Sequence, residues 1–467
     1  MKLLHLYIEK YKKYEKQHIF FSKDTSSCYQ NELFNSMQIT LFAGENGSGK
    51  TTILSFIAKI FRYIQRFRDR IPCDFSLAYT IETDGKEHSI ILEKIESNIT
   101  ISIDTILYHL MKYDIRTKSY KYDSSIYDKQ ITYDEIKPYL PANVLVLGFD
   151  VDYDRISYSH NYYGDRLVNF RSIDSAYTTS AIGSDFSLGI LNTILQSTQN
   201  LELQNIFKCM GFEFAPFVDV YFNFTSDDWN SDLNKSKIEK KYFYEEYWKH
   251  YIDKEVGMNS RINLSIFFRE QKNIDILSYF INHNYIYINE FYIVKNFSYI
   301  PISGMSTGEK SFLYHLFFIV DKIRNNSLII WEEPETHLNQ LWSRQLIPLL
   351  TYMFRRYNVH FLLSSHEITL INCLFPNQII LLNSTDIKYP DFQTFLANEN
   401  EIIFKLYKPK VYNPFEEYII EKINSCNKDD LEELLNNIGE SFLKFLIYKA
   451  HNKRSYHKDS LKNHNLA

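Results

Sequence analysis

Four short stretches of this 467-residue chain carry side chains suited to phosphate chemistry. Residues 44–51 read GENGSGKT, a complete GxxxxGK[ST] pattern that follows the apolar run MQITLFA and opens a segment of helical spacing. That setting is the one the pattern requires. Gly44, Gly47 and Gly49 let the backbone curl so that successive N–H groups face one anion. In such a cradle Lys50 reaches the β- and γ-phosphates of ATP and the Thr51 hydroxyl ligates Mg²⁺, with Asn46, Ser48 and Thr52 completing the loop. The dipole of the following helix adds to the attraction for anions. Residues 327–338 read SLIIWEEPETHL, an apolar strand ending in two acids. Adjacent carboxylates at a strand's end face different ways and can divide two roles. Glu332 would hold Mg²⁺ through water opposite Thr51, and Glu333 would polarise the attacking water as general base.

The elements that must position these groups are legible around them. LLHLYIEKY, HIFFS and MQITLFAG read as strands. A helix runs from Lys50 towards Ile71, where Pro72 stops it. YTIET, SIILEKI and ITISI form a meander of short strands, and NVLVLGF (143–149) is a further apolar strand. From Pro301 a loop, a helix (311–324), a strand (LIIW), a helix (339–356) and a strand (HFLLSS) alternate as in a parallel α/β sheet. A charged helix is expected over 234–254, and a helical hairpin over 429–450 ahead of a polar, basic tail.

Taken together the motifs resemble the ABC-type ATPases. ISGMSTGEKS (302–311) resembles that family's signature loop, with Ser306, Thr307, Gly308 and Glu309 in its positions, and EEPETHLNQ resembles the run after the second acidic strand. LLSSHE (362–367) resembles the switch-histidine motif, with His366. The resemblance implies that Lys50, Glu333 and His366 act from one subunit while the Ser306 loop acts in trans. A homodimer bridged by ATP follows, with a higher homo-oligomer as an extension. It also implies an ATPase head with a parallel-sheet core, an antiparallel β subdomain and an inserted, mainly helical lobe. The boundaries expected are 1–150 and 301–410 for the two halves of the head, 151–300 for the insert and 411–467 for a helical tail. Glu332 stands where the family has Asp, which implies altered or partner-gated turnover, and Thr307 replaces a signature glycine. Gln130, Gln196 and Gln199 are equal candidates for the family's loop glutamine, and Tyr11 or Tyr14 for an adenine-stacking ring.

Lys50 and Glu332 are separated by 282 positions, too many for a transporter subunit, and no heptad run suggests a long coiled coil. A compact insert resembles the smaller relatives of Rad50, the OLD-like ATPases. LPANVLVLGFDVDYD (140–154) with YYGDR (162–166) is similar to a segment of the PtuA family of Septu-type anti-phage systems. That likeness implies a separate nuclease subunit, an HNH protein (PtuB-like) in the first place and a Toprim protein in the second. A DNA repair ATPase of the RecF type and a non-hydrolysing ATP-bound regulatory subunit are the alternative readings.

Net charge is -5, against coating of nucleic acid by bulk charge, although Arg62, Arg66 and Arg70 fall on one helix face and keep DNA as a candidate ligand. Five scattered cysteines without a CxxC pair fit a reducing cytoplasm. No apolar run reaches the roughly 20 residues of a membrane span. Asp150, Asp152 and Asp154 form a DxDxD run that lacks the glycine and glutamate of a calcium loop.

Overall fold

The computed structural model describes residues 1–21, 27–65, 71–114, 117, 119–124, 129–148, 169–173, 186–222, 259–283, 286–383, 386–407, 414–439, 441 and 443–452. The chain divides into two compact units, Met1–Glu399 and Asn400–Ala467.

Two seven-stranded sheets dominate the first unit. The antiparallel one is built from β1 (Lys2–Tyr11), β2 (Tyr14–Phe20), β4 (Phe75–Thr83), β5 (Lys86–Ile95), β6 (Asn98–Ile103), β7 (Ile106–Leu110) and β10 (Gln130–Ile131). Its order is β10-β7-β6-β5-β4-β1-β2, with only the short β10 parallel to its neighbour. Alternate residues face inward, so along β4 Phe75, Leu77, Tyr79 and Ile81 are buried while the residues between them are not. A two-stranded ladder, β8 (Lys112–Asp114) with β9 (Ser119–Lys121), stands apart from it.

The second sheet holds β3 (Gln38–Ala43), β11 (Asn143–Leu147), β12 (Asn169–Ile173), β17 (Leu328–Glu332), β18 (His360–Ser365), β19 (Ile379–Asn383) and β20 (Asp386–Lys388). Its order is β12-β11-β17-β18-β3-β19-β20, parallel throughout except at β20. A parallel sheet covered on both faces reads as near-continuous, mostly apolar runs rather than as alternation. β11 and β18 are buried along their whole lengths. The helix Lys50–Gln65 packs on this sheet through Ile53, Leu54, Ile57, Ile60, Phe61 and Ile64, all fully buried. Each such side chain contributes roughly 1.5–3 kcal/mol of transfer free energy. One continuous core joins the two sheets across this helix.

Between the halves of the parallel sheet the described residues of the expected insert form both helices and strands. Helices Ser187–Gln199, Leu201–Cys209 and Gln271–Asn282 accompany a four-stranded antiparallel sheet, ordered β14 (Asn259–Asn263), β13 (Glu213–Phe222), β15 (Ile286–Lys295) and β16 (Ser298–Pro301). The β-branched and aromatic residues of EFAPFVDVYF and IYINEFYIVK favour strands, and Ile286, Ile288, Phe291 and Ile293 of β15 are buried on either side of a register slip. The charged segment 234–254, the DxDxD run and YYGDR lie outside the described residues.

The second unit contains helices Pro414–Ser425, Lys428–Asn437 and 443–452, gathered around Ile423, Leu431 and Ile447.

Candidate functional site

Strand register brings the candidate residues together. Ser365 pairs with Ala43 and Ser364 pairs with Glu332, so β3, β18 and β17 end level with one another. The loops leaving those three ends carry GENGSGKT, His366 and Glu333. Ligands of open parallel sheets bind at this edge, beyond the carboxyl ends of the strands.

The phosphate loop is held in a tight curl by backbone conformations that only glycine adopts freely. Gly44, Gly47 and Gly49 all have positive φ. A Cβ on Gly44 would lie 2.3 Å from the Leu382 carbonyl oxygen, and one on Gly49 would lie 2.2 Å from the Tyr14 hydroxyl. Lys50, almost fully buried, donates from Nζ to the carbonyl oxygens of Gly44 (2.8 Å) and Glu45 (3.1 Å). Burial lowers its pKa, opposed by the carboxylates of Glu333, Glu335 and Glu332. Thr51 and Thr52 begin the helix with Thr51 exposed, whereas Ser48 is buried and Asn46 exposed.

The two acids at the end of β17 point to different partners. The Thr51 hydroxyl donates to Glu332 Oε1 across the gap between the phosphate loop and the strand. Glu333 adopts a left-handed backbone (φ 42°) and its N–H donates to the Ser364 carbonyl oxygen at 3.0 Å. Its Oε1 lies 3.9 Å from His366 Nδ1. A hydroxyl and a carboxylate in contact are hard oxygen donors of the kind Mg²⁺ takes while keeping several waters. Thr51 and Glu332 therefore fit the ion, which would supply charge neutralisation at the phosphates. Among the described residues no group of three or more His, Cys, Asp or Glu side chains gathers as a metal site.

The loop resembling a signature stands at the start of the helix Thr307–Lys322. Ser306 is its N-cap in a capping box. Its hydroxyl donates to Glu309 Oε2 (2.9 Å) and its N–H reaches the same oxygen (3.0 Å), while the Glu309 N–H donates back to the hydroxyl (3.3 Å). Although partial burial opposes it, those bonds and the nearby Lys295 ammonium keep the Glu309 carboxyl below its usual range. Ser306 and Thr307 are exposed, so the positive end of a long, otherwise buried helix opens to solvent. Gly308 is buried against the loop that follows the acids. A Cβ there would lie 2.1 Å from the His337 carbonyl oxygen.

The sequence reading missed Lys13 and Glu335 and the contact that Tyr14 makes with the phosphate loop. Lys13, in the β1–β2 turn, donates to the Gly47 carbonyl oxygen at 2.9 Å, and Tyr14 donates to that of Ser48 at 3.2 Å. Glu335, two residues beyond Glu333, is buried beside His366. Nothing in a run of lysines and tyrosines marks Lys13, whereas Glu335 is visible as a third acid in EEPET. Tyr14 is fully buried and Tyr11 nearly so, the latter accepting from Lys59, so neither ring is a free adenine platform. Arg62 is buried as well, which removes it from a solvent-facing basic stripe. Gln130 lies in an edge strand bonded to Asp123, and Gln196 and Gln199 lie in the insert. Register instead puts the turn after β11 next to the acids. Gly148 has positive φ, and a Cβ on it would stand 2.4 Å from the Glu332 carbonyl oxygen.

Fold and site together set a phosphate loop and an acid pair at the carboxyl edge of a parallel sheet, the arrangement of a P-loop nucleotide-binding α/β domain. Residues 220–372 match the family model described as "AAA domain, putative AbiEii toxin, Type IV TA system". Among solved structures the chain is similar to the SMC head domain from Thermotoga maritima, at 12% identity and TM-score 0.37 over 84% of this chain and 100% of that one. An SMC head bound to the C-terminal winged-helix domain of ScpA gives 12% identity and TM-score 0.37 over 84% and 98%. A nucleotide-free ATP-binding cassette from an ABC transporter gives 11% and 0.29 over 88% and 97%. At these scores the superpositions carry no weight beside the strand order and the site. No curated protein matches the chain. No helix among the described residues is long and apolar enough to cross a membrane.

Proposed function

We propose that the chain binds Mg²⁺·ATP in the GENGSGKT loop and hydrolyses it, with Glu333 as base, His366 beside the γ-phosphate and the Ser306 loop supplied by a second copy. One observation carries this reading. The phosphate loop, the acid pair and the histidine leave three adjacent strands at one level, with Thr51 touching Glu332 and Glu333 beside His366. The Ser306 loop supports the trans role, because an exposed helix N-terminus with a serine cap suits the phosphate of another subunit. Residues 1–150 and 301–410 then serve as the halves of the head, 151–300 as its insert and 411–467 as its tail.

Within that reading the ATPase belongs to an anti-phage system and governs a separate nuclease, HNH in type, with DNA or nucleotide as its cue. The likeness of 140–154 and 162–166 to the PtuA family supports this role, and the family description, which names a toxin of a toxin–antitoxin system, favours a conflict system over repair. Glu333→Gln tests the chemistry. It should abolish phosphate release and accumulate an ATP-dependent dimer in size-exclusion chromatography. Undiminished release would remove the base assignment. Purification from the native operon tests the partner: a co-eluting nuclease supports the defence role, and a lone homo-oligomer with DNA-stimulated turnover supports repair.

A further inference from the structure

One carboxyl of the site has no part in this division of labour. Beyond the left-handed Glu333 and Pro334 the chain turns tightly, with the Thr336 N–H on the Glu333 carbonyl and the Leu338 N–H on that of Glu335, both at 2.9 Å. Glu335 is thereby buried, 5% exposed. Its Oε1 accepts the Ser365 hydroxyl at 2.5 Å, and Ser365 Oγ in turn accepts the Glu367 N–H at 2.9 Å. His366 is thus held through the residues on both sides of it. Its Nδ1 stands 3.9 Å from Glu335 Oε1 and 3.9 Å from Glu333 Oε1, between the two acids. Among the described residues Glu335 Oε2 meets no side-chain or backbone donor, and burial pushes this carboxyl's pKa up. A buried acid with half its acceptors unmet weakens a fold, so stability alone gives no reason for glutamate at this position.

We propose that Glu335 is a positioning residue for hydrolysis: through the Ser365 hydroxyl it fixes the His366 imidazole against Glu333. This rests on the hydrolytic reading above. Displacement by about 1 Å of a group that acts in the transition state costs on the order of a hundredfold in rate.

Glu335→Ala should therefore lower kcat by roughly ten- to a hundredfold while KM for ATP stays within about twofold. Its melting temperature should hold or rise. Glu335→Gln keeps an acceptor for Ser365 and should restore most of the turnover. Ser365→Ala should reproduce the loss, and joining it to Glu335→Ala should add nothing. Wild-type kcat in Glu335→Ala, additive losses, or no rescue by Gln each overturn the proposal. A readout independent of turnover separates it from its premise. If Glu333→Gln remains fully active the hydrolytic reading falls, yet the crystal structure of Glu335→Ala still decides the contact. A His366 ring displaced from Glu333 supports the positioning role, and one in its wild-type place overturns it.

Discussion

Gly308→Ala probes the join between the Ser306 helix and the acid-bearing loop. The added methyl would sit 2.1 Å from the His337 carbonyl oxygen, where real contacts essentially never fall below 3.0 Å, so the two backbones must part by 0.9 Å or more. Neither side yields easily. The helix Thr307–Lys322 is buried along Phe312, Leu313, Leu316, Phe317 and Ile319, and His337 already has a left-handed backbone (φ 66°). Overpacking of this kind costs about 1–3 kcal/mol, equivalent to a few degrees of melting temperature in a large domain. The shift falls on the helix turn that carries Ser306 and on the chain just beyond Glu335, whereas the phosphate loop lies on other strands. ATP affinity measured by calorimetry should stay within about twofold, and turnover should drop by one to two orders of magnitude, as for a misplacement of about 1 Å. An alanine variant with wild-type melting and wild-type turnover would refute the idea that this contact sets the distance between signature and acids.

Lys13→Met removes a cation that grips the phosphate loop at Gly47 while sparing the stem length. It should raise the Kd for ATP several-fold without changing the melting temperature, and unchanged affinity would make the contact incidental. Ser306→Arg should leave ATP binding by the monomer intact and suppress hydrolysis that depends on enzyme concentration; lost binding in the monomer would contradict the trans role. His360 is fully buried, accepts the Leu3 N–H at Nδ1 (2.9 Å), and so carries its proton on Nε2, facing Thr40. Burial holds its pKa well below 6.5. The unfolded chain therefore takes up the proton first, and the stability that neutral His360 provides is complete above pH 6.5 and lost as pH falls below it, by about 1.4 kcal/mol per unit. Denaturant unfolding at pH 7 and pH 5.5 should show a steeper loss in wild type than in His360→Asn, and parallel curves would reject the assignment.

How much of this was legible depends on whether a signal is local. GENGSGKT and SLIIWEEPE could be read because each is a continuous run whose own sequence dictates the strand before it and the turn after it. The strands β4, β5 and β6 could be read as a meander because consecutive antiparallel strands need only short turns. The order β12-β11-β17-β18-β3-β19 could not, since each adjacency joins segments far apart in the chain and apolar strands do not announce their neighbours. For the same reason Gly148 escaped notice. Its value lies in touching Glu332, which is 184 positions away. The sheet within the insert left no such signal for a different reason, because aromatic strands such as EFAPFVDVYF show no clean alternation and the register against β15 slips twice.

The pattern of misses bears on how the site works. Lys13 and Gly148 act on the motif residues from outside any motif, while Ser364, Ser365 and Glu335 lie within motif runs at positions to which the motifs assign no role. On the proposed function, motifs mark the atoms that would touch nucleotide, and the sheet edge supplies the atoms that hold them still. Of the three acids after β17, two face outward to Thr51 and to His366, while the third is spent inside the protein at a cost in desolvation. The burial of Glu335 against the loop carrying His366 is what holding that imidazole beside Glu333 would need.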